Sequence, residues 1–80
     1  MNLSKAISIR IKELLKEKNI TQYKLGKEAC IPYETIKSIM KEKSKGINLK
    51  TVILVADGFD MTVSEFLNSP LFNYENLNLD

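Results

Sequence analysis

The sequence has no histidine, no tryptophan, one cysteine, two prolines and three glycines. Each shortage excludes something. Without His, and with Cys30 alone, the chain offers no nucleophile-and-base arrangement, no Cys-rich metal site and no intramolecular disulfide. No glycine-rich phosphate loop is present either. The longest apolar run, Val52 to Ala56, is five residues, far below the ~20 that a membrane helix needs. The N-terminus also lacks the long apolar core of a signal peptide. These absences predict a non-enzyme with no cofactor, no metal and no membrane partner, working in the cytoplasm. One further shortage is positional: residues 51–80 contain no base. All twelve Lys and Arg lie in residues 1–50 with five acids, whereas Asp57, Asp60, Glu65, Glu75 and Asp80 fill the second half. The basic half suits a polyanion partner, and the acidic half some other contact.

What remains is rich in Lys, Glu, Leu and Ile, which favour helix. At 80 residues all helices must share one small core, or a second subunit must extend it. Ser4 is the expected N-cap of a first helix ending near Lys18, with Ile7, Ile11, Leu14 and Leu15 as its apolar stripe. Asn19 suits a left-handed helix end. Thr21 is expected to cap a second helix, with Ile20 as the staple for Leu25. Gly26 weakens that helix by about 1 kcal/mol relative to Ala, a cost that points to a close helix–helix approach. Cys30 and Ile31 form a turn and Pro32 opens a third helix, with Ile36, Ile39 and Met40 inward. Glu42 to Gly46 reads as a loop. Asn48 caps a fourth helix to about Asp57, in which Val52, Ile53, Val55 and Ala56 are expected to be buried, and Gly58 stops it. A complete capping box, Thr62 to Glu65, starts a short fifth helix that Phe66 and Leu67 close.

The stretch TQYKLGKEACIPYETIKSIMK, Thr21 to Lys41, organises the whole. Two short amphipathic helices joined by a tight turn, the second with a polar outer face, describe a helix-turn-helix. The order of helices, the spacing of ITQYKLGKEACIPYETIKSIM and the later NLKTVILVADGFDMTVSEFL resemble the phage-repressor (Xre/Cro) family. The resemblance runs from about Ile7 to Leu67. It implies an all-α, five-helix, lambda-repressor-like bundle over residues 1–69 that binds double-stranded DNA, typically a dimeric transcriptional repressor. Residues 70–80 are left as a short C-terminal tail. That tail holds Leu71, Phe72, Tyr74, Leu77 and Leu79, which either fold back on the helices or meet a second copy.

The resemblance also assigns roles. Gln22 takes the place of a glutamine that touches the DNA backbone and braces the recognition helix, with Thr21 beside it. Pro32, Tyr33 and Glu34 are the first exposed residues of that helix, Pro32 lying nearest the backbone. Tyr33 and Glu34, and one turn on Lys37 and Ser38, are expected to read bases. Lys41, Lys43 and Lys45 are expected to grip phosphates. The family usually has Gly where this chain has Cys30, often Ala at Gly26, and commonly Glu at Met40. Chemically, Tyr33 offers a ring to a thymine methyl and Glu34 accepts from a cytosine amino group. Cys30 itself reads as a small buried residue rather than a redox switch. A protein-interaction module or antitoxin-like partner on the same fold is the alternative. No motif supports a small-molecule effector.

Overall fold

A computed structural model of the chain describes residues 1–42 and 47–79. Five helices follow one another: α1 Leu3–Lys18, α2 Gln22–Ala29, α3 Tyr33–Met40, α4 Leu49–Gly58 and α5 Val63–Leu67. Two 3-10 turns, Pro70–Phe72 and Tyr74–Asn76, carry the tail. Among the described residues no helix is long and apolar enough to cross a membrane.

The expected caps on α2, α4 and α5 are in place. The side chains of Thr21, Asn48 and Thr62 accept the N–H of Lys24, Thr51 and Glu65 at 3.1, 2.9 and 3.1 Å. The expectation for α1 is corrected: its N-cap is Asn2, whose Oδ1 accepts the Lys5 N–H at 2.8 Å. Asn2 is held extended because the tail runs beside it, with Asn78 N–H donating to the Met1 carbonyl at 2.8 Å. An extended residue is what an N-cap requires, so the cap lies two residues before Ser4 and the helix starts at Leu3.

Three helices end alike. Asn19, Cys30 and Asp60 adopt left-handed backbone, with φ of 56, 58 and 60°. The next N–H, of Ile20, Ile31 or Met61, returns to the carbonyl five residues back at 2.9–3.0 Å. This ending normally uses glycine; here no described glycine takes it. Gly58, expected to stop α4, is instead its last helical residue. A Cβ there would lie 2.8 Å from Ala29 Cβ and 3.0 Å from Leu25 Cδ1. Its missing side chain lets α4 meet α2.

The core draws on every helix. Ile7, Ile11 and Leu14 of α1 meet Leu25 and Ala29 of α2, Ile36 and Ile39 of α3, Val52 and Val55 of α4, and Phe66 of α5. In α4 the buried set is Val52, Val55, Ala56 and then Phe59, one stripe at helical spacing. Ile53 falls off that stripe and is 46% exposed, contrary to the expectation. A run of five residues goes more than once round a helix, so a helix with a single buried face leaves some of its members outside.

Two polar ties complete the frame. Buried Ser8 Oγ donates to the Met40 carbonyl at 3.1 Å, fastening the end of α3 to α1. Arg10 donates from Nε to the Phe66 carbonyl at 2.7 Å and from a terminal nitrogen to Glu65 O at 3.1 Å. A cation on the final carbonyls of a five-residue helix opposes the negative end of its dipole. The tail then folds back over α1 and α5. Phe72 stacks at 6.2 Å on Phe66, and the Met1 amino group donates to the Asn76 carbonyl at 3.0 Å.

Two outcomes are expected. Gly58→Ala gains about 1 kcal/mol of helix propensity, but forcing a methyl into a filled contact costs roughly 1–3 kcal/mol. Urea unfolding of this variant should show a lower midpoint than wild type. The second concerns acid. The Thr62 N–H, donating at 2.8 Å, and then the Thr62 hydroxyl hold the Glu65 carboxyl below its ordinary value of 4.5. A depressed carboxylate stabilises the fold above its unfolded value, and that contribution disappears as pH falls through the folded one. Glu65→Gln should therefore flatten the melting temperature against pH on the acid side of 4.5.

Candidate nucleic-acid interface

The interface is built on the join between α2 and α3. Cys30, at φ 58° and ψ 38°, reverses the chain. Ile31 points into the core, and its N–H returns to the Gly26 carbonyl at 2.9 Å. A Cβ on Gly26 would stand 2.9 Å from the Ile31 carbonyl oxygen. The glycine thus answers to the turn, where a helix–helix approach was expected; Ile36 Cγ1 and Tyr33 Cα of α3 would stand 3.5 and 3.7 Å from that Cβ, at ordinary contact distance. Pro32 is the N-cap of α3, one position before the helical start expected for it, with φ −54° and ψ 139°. No side chain caps α3. The ring cannot serve as a cap, so proline supplies only its carbonyl, which accepts the N–H of Thr35 at 2.9 Å and of Ile36 at 3.2 Å.

The inner face of α3 is sealed by Ile36, Ile39 and Met40. Its outer face carries Tyr33 and Glu34, both exposed, and one turn on Lys37 and Ser38, both half-buried. The four expected base readers therefore share one face. Lys37 Nζ lies 3.8 Å from Glu34 Oε1 and 5.4 Å from the Tyr33 ring centre. An exposed pair of this kind contributes little to stability, but it balances one positive charge against one negative on the ridge. Thr21 is exposed and its hydroxyl oxygen already accepts the Lys24 N–H; Gln22, half-buried, begins α2. Lys41 is exposed at the end of α3. Lys43 and Lys45 lie outside the described residues.

Cys30 corrects one expectation, for it is exposed. The left-handed turn projects its side chain outward while Ile31 takes the interior place. One residue escaped the sequence reading altogether. Tyr23, 54% exposed, meets Tyr33 edge to face, with ring centres 5.7 Å apart and planes at 82°. Lys27 Nζ lies 5.8 Å from the Tyr23 ring centre. A signal was present: Tyr-x-x-x-Lys occurs on both helices, at Tyr23/Lys27 and Tyr33/Lys37, and a spacing of four puts each pair on one helix face.

The turn yields a stability test. A side chain in left-handed backbone costs about 1–2 kcal/mol, partly offset on replacement because glycine has more freedom to lose on folding. Cys30 is exposed, so Cys30→Gly should raise stability by roughly 0.5–1 kcal/mol, read from denaturant curves.

Comparison with known proteins agrees with this geometry. No curated protein and no solved structure matches the chain. A family model described as the Cro/C1-type HTH DNA-binding domain matches residues 10–70, which takes in α2, the turn, α3 and α4. With the match covering most of its length, the chain belongs to the Cro/C1-type helix-turn-helix DNA-binding domain family.

Proposed function

We propose that this DNA-binding domain is a sequence-specific transcription regulator of repressor type that lays α3 in the major groove and acts in the cytoplasm as a homodimer. The observation that carries this reading is the open ridge of Tyr33, Glu34, Lys37 and Ser38, held by a helix whose other face is buried. Among the described residues the tail meets Met1, Asn2, α1 and Phe66.

In this reading phosphate contacts set the register and bases are read between them. Thr21, Gln22 and Pro32 flank the ridge on one side, with the uncapped amides at the start of α3 facing the same backbone. Lys41, at the end of α3, grips phosphate on the other; Lys43 and Lys45, outside the described residues, are proposed for the same role. Tyr33 offers its ring to a thymine methyl. Glu34 accepts from a cytosine amino group, while its charge repels a misplaced phosphate.

Two half-sites one helical turn apart, about 34 Å, call for two copies. The body measures 32 × 23 × 21 Å, small enough for neighbours on one face of a duplex. Exposed Leu49, at 63%, lines a groove of about 330 Å³ with Leu3, Leu67, Phe72 and Leu77, and exposed Ile53 stands one turn further along α4. This apolar surface, continuous with the tail, supports dimerisation. Replacing Leu49 and Ile53 together by Glu should leave a folded monomer by sedimentation and abolish joint occupancy of paired half-sites.

Salt titration with a nonspecific duplex tests the reading as a whole. Affinity should fall steeply, with a log–log slope near −0.9 for each phosphate neutralised. No duplex binding at low salt would leave a protein-interaction module instead. Replacing Lys41, Lys43 and Lys45 together by Ala should weaken all sequences alike, whereas Glu34→Ala should reorder them.

A further inference from the structure

We infer that Tyr23, on the supporting helix, is a specificity-determining residue that acts by fixing the ring of Tyr33. The inference rests on the proposed use of α3 to read bases. It goes beyond that reading by placing part of the sequence preference on α2.

Tyr33 is 44% exposed at the first position of α3, where a side chain is normally free to change rotamer. Here its ring is held on two sides. Tyr23 meets it edge to face at 5.7 Å and Lys37 lies over it at 5.4 Å. Tyr23 is in turn met by Lys27 at 5.8 Å. A row of Lys27, Tyr23, Tyr33 and Lys37 thus crosses from one helix to the other. Edge-to-face rings attract through opposed quadrupoles, and a cation over a ring adds to that. Fixing a side chain before binding removes an ordering cost that binding would otherwise bear. The two rings, with Gly26, Lys27, Cys30 and Pro32, also bound an open notch of about 300 Å³ at the outer surface of the turn. Removing Tyr23 opens one wall of this notch and frees Tyr33 to swing.

Neither tyrosine belongs to the buried core. Their replacement is therefore expected to leave the fold intact, which separates recognition from stability. The experiment selects bound sequences from a random duplex pool with wild type, Tyr23→Ala, Tyr23→Phe, Tyr33→Ala and the double alanine variant. Affinities for the winning duplex and its single-base variants are then measured. Tyr23→Ala should relax preference by about threefold or more at the same base positions as Tyr33→Ala. The double variant should be no worse than Tyr33→Ala alone, and Tyr23→Phe, which keeps the ring, should select as wild type does. Melting temperatures should stay within a few degrees of wild type in all four. An unchanged preference in Tyr23→Ala, or losses that simply add in the double variant, would overturn the coupling while base reading by α3 survives. A wild-type protein that enriches no sequence would overturn base reading itself, and this inference with it.

Discussion

The meeting of Gly26 with Ile31 sets the geometry on which the interface depends. The Gly26 carbonyl accepts the Ile31 N–H at 2.9 Å, and the same glycine has no room for a Cβ beside the Ile31 carbonyl. Backbone meets backbone, so the angle between α2 and α3 does not depend on a flexible side chain. Ile31 closes the core beneath the turn, and the Ser8 hydroxyl holds the far end of α3. With both ends tied, the outer face of α3 is presented as a rigid edge. That suits the role proposed for α3, which benefits when its side chains are already placed.

The position of α2 is limited by glycine on its other flank too. Gly58 admits Ala29 and Leu25 to the end of α4 without an intervening side chain. α2 packs chiefly against α4 and α3, and its approach to α4 and to the turn carbonyl of Ile31 is close enough to exclude a methyl group. Its own outer face, with Tyr23, Lys24, Lys27 and Glu28, remains exposed. The structure therefore separates two tasks along one short helix: an inner side with little tolerance and an outer side open to chemical variation.

Much of this was legible in the sequence because it rests on local chemistry. Thr21, Asn48 and Thr62 cap where short polar side chains before apolar runs should cap, and Asn19 ends α1 as expected. The ridge followed from the spacing of Ile36 and Ile39, which leaves Tyr33, Glu34 and Lys37 outside. Failures came where a distant segment decides. Asn2 outcompetes Ser4 as a cap because the tail holds it extended. Gly58 resembles a helix stop but answers to Ala29, far away in sequence. Ile53 sits in an apolar run whose buried stripe only packing against α2 and α5 selects. The exposure of Cys30 depends on a left-handed backbone that a non-glycine residue does not announce. The Tyr23–Tyr33 contact joins two helices, and period within either one alone does not reveal it.

Arg10 is the only arginine in the chain, and it is turned inward to the last carbonyls of α5, with its guanidinium 5.9 Å from the Phe66 ring centre. Guanine is most often recognised through the two-pronged fork of an arginine on its O6 and N7 atoms. With its sole fork committed to architecture, the described ridge on α3 presents tyrosine, glutamate, lysine and serine side chains instead. Under the proposed use of that ridge, a guanine contact would fall to Lys37, a single ammonium in place of a rigid two-pronged fork.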